Sequence, residues 1–242
     1  MPGGSANTRF AEVRHFDTVT STNSVAAELA RPGLVVVADH QSAGQGRLGR
    51  TWEAPPGSSL LASVVLDVSW VWDARPQLAT LALALAASDA CSAVAGIRPT
   101  LKWPNDLLVE DGKVGGILAE AVPGAGVIVA GIGLNVRWGD ATPPPPGTSL
   151  DALGAGVAPT ALLPALLELL EVRLDQDPDA LLDDYRARCT TLGQAVRVEA
   201  AGRDDVEGTA VDVTPDGHLL VQDETGEVHT VVAGDVVHVR PG

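Results

Sequence analysis

The stretch LKWPNDLLVEDGKVGGILAEAVPGAGVIVAGIGLNV, from Leu101 to Val136, decides the fold. Three apolar runs, LKWPNDLLV, VGGILAEAV and VIVAGIGLNV, are parted by the turn segments EDGK and PGAG. Short apolar runs separated in this way read as neighbouring antiparallel strands, with Asp111-Gly112 as a hairpin turn. Trp103 precedes Pro104 and is held extended, so the first run is a stiff strand leading into a turn that displays Lys102, Asn105 and Asp106. Taken alone, these residues also fit a core tryptophan beside an ordinary Asn-Asp turn, and Lys113 fits an exposed surface lysine. Gly131 and Gly133 weaken the third strand unless a ligand or another backbone comes close.

Upstream, LVVVADH (34–40) and SSLLASVVLDV (58–68) are short, Val- and Leu-rich and predict buried strands. Residues 41–57 between them carry no periodicity, and a loop of that length in a compact domain is functional or disordered. RPQLATLALALAASDACSAVAG predicts a helix that Gly96 stops. Downstream, PPPPG (143–147) predicts an extended, exposed connection. TALLPALLELLEVRLDQD and PDALLDDYRARCTTLG predict two helices, broken at Asp177 or Pro178. From Gln194 the texture changes to short alternating strands, AVRVEA, VEGTAVDVT, HLLVQDE, EVHTVV and DVVHVRPG, the pattern of a small barrel. The expected organisation is therefore a larger α+β domain over 1–191 and a small β-domain over 192–242.

Composition narrows the class. The chain has 242 residues, of which 45% are apolar and 19% charged, as in a globular protein with a sizeable core. A net charge of −15 excludes a surface built to neutralise nucleic-acid phosphates. Cys91 and Cys189 are far apart, with no metal or redox spacing, and read as core thiols. The N-terminal stretch MPGGSANTRFAEVRHF carries charges where a signal peptide needs an apolar segment, and LATLALALAASDACSAVAGI, broken by Ser88 and Asp89, reads as a buried helix and not a membrane span. A soluble, cytoplasmic protein is expected. Lys102 and Lys113 are the only two lysines, against fourteen arginines, and both fall in the opening stretch.

HQSAGQGRLGRTW (40–52) sets Gly44, Gly46 and Gly49 beside Arg47 and Arg50, with Trp52 behind. The spacing is neither a P-loop nor a dinucleotide fingerprint opening a helix, and a mobile solvated loop is the plain alternative. Two guanidinium forks on a flexible loop can nevertheless close over a polyphosphate or a carboxylate. STN (21–23) fits a helix N-cap for SVAAELA.

In this order and spacing, STN, HQSAGQGRLGRTW, LKWPND, GKVGGILAE and GIGLNV resemble the biotin–protein ligases over Thr18 to Val136. That family places an SH3-like barrel at its C-terminus, and its catalytic fold, of the class II synthetase type, is a mixed, largely antiparallel sheet backed by helices. The resemblance implies a two-step reaction. Biotin and ATP, with Mg2+, give biotinyl-5′-AMP and pyrophosphate, and a lysine of a biotin carboxyl carrier domain, as in acetyl-CoA carboxylase, then displaces AMP.

Carried across, the resemblance implies that Ser21, Thr22, Asn23 and Gln41 hold the biotin head group, with Gly115, Gly116 and Leu118 lining its pocket. Gly44, Gln45, Gly46, Arg47 and Arg50 would belong to a loop folding over biotin and adenylate, the arginines on carboxylate and phosphate oxygens. Gln45 stands where the family loop often carries an arginine. Trp52, Lys102, Asn105 and Asn135 would lie toward the nucleotide, Lys113 between the biotin carboxyl and the α-phosphate, and Asp106 near the acceptor amine. No motif supplies a metal ligand set, and monomer and homodimer both remain open. The short segment before STN leaves no room for the DNA-binding domain that many bacterial relatives carry, so a ligase without repressor function is expected. The other readings are a lipoate or octanoate ligase or transferase on the same fold, and a non-catalytic biotin-binding regulator.

Overall fold

The computed structural model describes residues 8–71, 75–199, 205–232 and 234–238. The expected N-terminal segment before Thr8, Ala200 of the first barrel strand and the end of the last strand, Val239–Gly242, lie outside the described residues. In chain order the elements are β1 (Glu12–Val19), α1 (Thr22–Leu29), β2 (Leu34–Gln41), β3 (Gly44–Gln45), β4 (Thr51–Trp52), β5 (Ser59–Asp67), α2 (Pro76–Ala95), β6 (Thr100–Lys102), β7 (Asp106–Val109), β8 (Gly112–Val122) and β9 (Val127–Asn135). They are followed by α3 (Leu163–Leu174), α4 (Pro178–Arg188), β10 (Ala195–Glu199), β11 (Val206–Val213), β12 (Leu219–Gln222), β13 (Val228–Val231) and β14 (Asp235–His238).

The opening stretch forms the expected antiparallel meander, but in four strands: the first run splits into β6 and β7, and the turn into β8 is Glu110-Asp111, with Glu110 at φ 53° and Gly112 paired to Val109, where the sequence predicts Asp111-Gly112. β9 pairs with β5, and β5 with β2, to complete a seven-stranded sheet in the order β1-β2-β5-β9-β8-β7-β6. β1 runs parallel to β2 and makes the sheet mixed; it has no counterpart among the expected strands. Its residues are half-buried or exposed, so it lacks an apolar run.

The strand period of two gives the sheet two different faces. Leu60, Ala62, Val64, Ile128, Ala130, Ile132 and Leu134 face α2, which lies across the sheet with α3 and α4 packed behind it. Leu34, Val36, Val65, Val127 and Val129 face α1 on the other side. α2 is long and apolar enough to cross a membrane by composition, yet 67% of its most apolar window is buried within the protein. Pro76 at its first turn and Gly96, left-handed at φ 70°, bound it as the sequence predicts. Asp89 on α2 ties the helices together, with Arg98 at 2.5 Å, Arg173 at 2.6 Å and Arg188 at 2.7 Å. Burial pushes its carboxyl upward, but the Arg173 and Arg188 guanidinium groups outweigh that and hold it below the usual range.

Two further expectations change. Residues 41–57 are not a structureless loop, because β3 and β4 pair as a minimal hairpin. The PPPPG segment is exposed at Pro144, Pro145 and Pro146 as expected, but it is a docked turn and not an extended connection. Pro143 is buried, Gly147 N donates to Pro144 O at 2.8 Å, and the turn docks on Lys113, whose N donates to Pro146 O at 2.8 Å and whose O accepts from Thr148 N at 2.9 Å. The C-terminal strands form an antiparallel sheet in the order β13-β12-β11-β10-β14, and among the described residues no ladder joins β13 to β14 to close a barrel. This smaller sheet is fastened to the larger one. Trp103, 2% exposed, donates its indole N–H to Gly217 O at 3.0 Å, and Val196, Val198, Ala210 and Val221 join the α2-side core.

Candidate functional site

A cavity of about 280 Å³ opens on the α1 face, between the middle of the large sheet, the β3–β4 hairpin and the edge of the small sheet. Its floor is made of glycine. Gly116 and Gly133 are register partners on β8 and β9, and Gly131 pairs with Leu118. The Trp52 ring lies on this shelf: a Cβ on Gly133 would stand 2.4 Å from its Cε2, and one on Gly116 would stand 3.2 Å from its Cζ3. A Cβ on Gly131 would stand 2.0 Å from Asn23 Oδ1. The close neighbours of the strand glycines are thus side chains of α1 and β4, with Lys113 of β8 and Ser63 of β5. Trp52 Nε1 is buried there without a hydrogen-bond partner.

One wall is polar and buried. Ser63 Oγ, fully enclosed on β5, lies 2.8 Å from Thr22 Oγ1 and 2.6 Å from Asn23 Oδ1. Asn23 Nδ2 donates to Leu118 O at 3.1 Å, and Gln41 Oε1 accepts from Thr22 N at 2.8 Å and from Thr22 Oγ1 at 3.1 Å. Ser21 stands at the N-cap position of α1 but makes no side-chain capping bond, so capping does not account for STN. Gln41 takes a helix N-terminal donor instead. Because its members hydrogen-bond one another across α1, β2, β5 and β8, this chain holds its geometry in advance of any ligand.

Charge converges on the far side of the floor, opposite that wall. Lys113 Nζ is 2.6 Å from Asp106 Oδ1 and 5.7 Å from the centroid of the Trp52 ring. The side chains are 29% and 24% exposed, so Lys113 is not the free surface lysine of the plain reading. The proline turn that clamps its backbone fixes where this ammonium starts. Arg47 reaches in from the hairpin, with Nη1 3.5 Å from both Asn105 Oδ1 and Gly234 O. Burial lowers its pKa, against the pull of Asp235 and Asp106. Arg50 forks onto Asp235, with Nη1 donating to Oδ1 at 3.1 Å and Nη2 to Oδ2.

Of the residues singled out from sequence, Ser21, Thr22, Asn23, Gln41, Gln45 and Gly46 line the cavity from the α1 and hairpin side. Arg47, Arg50, Trp52, Lys102, Asn105, Asp106, Lys113, Gly116 and Leu118 line the rest. Three do not. Gly115 falls on the α2 face, where an added Cβ would meet Leu134 Cδ1 at 2.9 Å. Gly44 is packed against the backbone of Trp52, and Asn135 is buried with Nδ2 donating to Thr148 O at 3.0 Å. Sequence reasoning missed Ser63, Glu199, Asp235, Val236 and Val237. Ser63 sits inside an apolar strand and the other four in the small sheet, so no local motif marks them.

Known proteins resemble this chain in sequence and in fold. Residues 15–136 match the family model described as the biotin/lipoate A/B protein ligase family, and residues 191–239 match the biotin protein ligase C-terminal domain. A biotin--[acetyl-CoA-carboxylase] ligase of Mycobacterium tuberculosis is 40% identical, the alignment covering 94% of this chain and 90% of that protein. One from Paracoccus denitrificans is 33% identical over 85% of this chain and 92% of its own length. The biotin protein ligase from Aquifex aeolicus, solved in complex with biotin and ATP, superposes with a TM-score of 0.81 at 26% identity, covering 96% of this chain and all of that one. The chain therefore belongs to the biotin/lipoate A/B protein ligase family and carries its biotin protein ligase C-terminal domain.

Proposed function

We propose that the chain is an ATP-dependent biotin–protein ligase whose acceptor is a lysine of a biotin carboxyl carrier domain. One observation carries the reading: the ammonium of Lys113 is held at the cavity floor by Asp106 and by a clamped backbone, with two arginines of one hairpin above it. The biotin and ATP bound in the Aquifex aeolicus structure and the names of the two relatives support it.

Joining biotin to ATP presses a carboxylate against an α-phosphate, and fixed cations in a site shielded from water are the tool for that approach. A carboxylate oxygen bonds to the α-phosphorus as the bond to pyrophosphate breaks. Ser21, Thr22, Asn23 and Gln41 form the wall for the head group, over the floor of Gly116 and Leu118. Lys113 leaves Asp106 for the oxygens of the two anions, while Arg47 and Arg50 take carboxylate and phosphate oxygens from above. Trp52, Lys102 and Asn105 flank the nucleotide, and Asn135 and Gly115 act from behind by fixing the strands. Gln45, in place of an arginine, leaves the hairpin two guanidinium groups.

In the second step the acceptor's ε-nitrogen attacks the acyl carbon and AMP departs. Asp106, freed of Lys113, takes the proton that the amine loses. Asp106 and Asp235 are already paired with cations and form no ready-made Mg2+ site, so a Mg2+ would come with the triphosphate and would supply screening of its charge. The relatives' names point to acetyl-CoA carboxylase as the acceptor.

The test is exchange of labelled pyrophosphate into ATP, with biotin, lipoate or octanoate as the acid. Exchange with biotin alone is expected. Exchange with lipoate alone would transfer the chain to the lipoate branch, and none with any acid would leave a binding protein.

A further inference from the structure

We infer that Asp235, on β14 of the small C-terminal sheet, is a positioning residue that anchors the β3–β4 hairpin over the cavity by holding Arg50. The hairpin has only two residue pairs, Gly44 with Trp52 and Gln45 with Thr51, too few to be stable alone. Its tip is strained as well: Leu48 has φ 55° and is 51% exposed, and Gly49 has φ 74°. Its order must come from outside. The stem is held by Trp52 on the glycine shelf, and the tip by the C-terminal sheet, where Arg50 engages both carboxylate oxygens of Asp235 and Arg47 reaches Gly234 O.

The fork of Arg50 on Asp235 is the bidentate geometry in which a guanidinium meets a substrate carboxylate or phosphate. Asp235 thus occupies the place of an anion and keeps Arg50 aimed across the cavity mouth. The anchor is weak enough to release. Arg50 is 65% exposed and Asp235 23%, and ion pairs of that kind contribute little each. It also assigns the C-terminal sheet a task in the reaction, since that sheet shares with Asn105 of the larger domain the holding of the hairpin's tip.

The experiment uses trypsin on the full chain without biotin or ATP, because Arg47 and Arg50 are themselves cleavage sites. Asp235→Asn is expected to speed cleavage at these two positions about two- to fivefold, the range an exposed ion pair supports. Cleavage at Arg197, on β10 of the same small sheet, should stay at the wild-type rate, and Asp235→Glu should restore most of the protection. Unchanged cleavage in the hairpin, or a parallel rise at Arg197, would overturn the proposal. In pyrophosphate exchange, which rests on the ligase reading, Asp235→Asn should raise KM for ATP by a similar factor with kcat nearly unchanged. A protein that exchanges with no acid but shows the selective cleavage would sink the ligase reading and leave the anchor standing.

Discussion

Gly116, Gly131 and Gly133 lie in the middle of β8 and β9, where the ladder pairs the backbone and Lys113, Trp52 or Asn23 fills the space a side chain would need. Gly49 lies at the tip of the β3–β4 hairpin, left-handed, with nothing within 4 Å of a Cβ built on it. The same residue serves opposite ends: in the floor its missing side chain is a shape that others complete, in the hairpin its backbone freedom is the point. The floor is therefore rigid before any ligand arrives, and the hairpin takes its order from a few polar contacts. Substitutions in the two regions should fail in different ways.

The largest effect belongs to the floor's cation. Lys113→Ala should lower the single-turnover adenylation rate by roughly 10²–10³-fold, the range found when one group aimed at developing charge is removed. Biotin affinity measured by calorimetry should change much less, because the head-group wall is made by α1, β2 and β5. An unchanged rate would remove Lys113 from the chemistry. Next comes Gly131→Ala, whose Cβ has no room beside Asn23 Oδ1 at 2.0 Å and Ser63 Oγ at 3.1 Å. Overpacking of this sort costs about 1–3 kcal/mol. Denaturant unfolding should register it, together with weaker biotin binding, since the chain from Ser63 through Asn23 to Leu118 must break. A variant of wild-type stability would mean that the floor yields, and the contrast with the hairpin would blur.

A third test loosens the floor from behind. Asp89 supports α2, which carries the sheet, and its carboxyl titrates below the usual range because Arg173 and Arg188 favour the charged form over the opposing effect of burial. Its contribution to stability is complete above the ordinary carboxylate range and is lost as pH falls through the depressed folded-state value. Thermal unfolding should therefore separate wild type from Asp89→Asn most at neutral pH, with the gap narrowing below about pH 4. Tryptic cleavage at Arg47 and Arg50 should not respond. A gap that widens in acid would contradict the depressed titration.

Much of this was legible in the sequence because it is local. The meander follows from its turns, α2 from its Ala-Leu run and Gly96, and the site from five short motifs that keep their chemistry within a few residues. What escaped is what the chain brings together from afar. β1 is half-exposed and recognisable only once β2 offers it a parallel edge. Ser63 reads as an interruption in an apolar strand until Thr22 and Asn23 reach it across the sheet. The proline turn reads as an extended link because nothing near it in sequence predicts that Lys113 closes on it. Asp235 lies 185 residues beyond the arginine it holds.

The smallest predicted effect tests the hairpin by the glycine that defines it. Gly49 has φ 74°, a region where a residue with a Cβ is disfavoured by about 1–2 kcal/mol, yet its surroundings are open, so Gly49→Ala meets strain without any clash. The hairpin can relax that strain by shifting its tip, at the expense of the bond from Arg50 N to Arg47 O at 3.1 Å. Global stability should then fall by less than the local strain, because the tip adds nothing to the core. The loss should appear in KM for ATP, raised a fewfold, with kcat held by the unaltered floor. A fall in kcat alone would show that the shape of the tip sets how Arg47 and Arg50 meet the transition state and not how ATP is held.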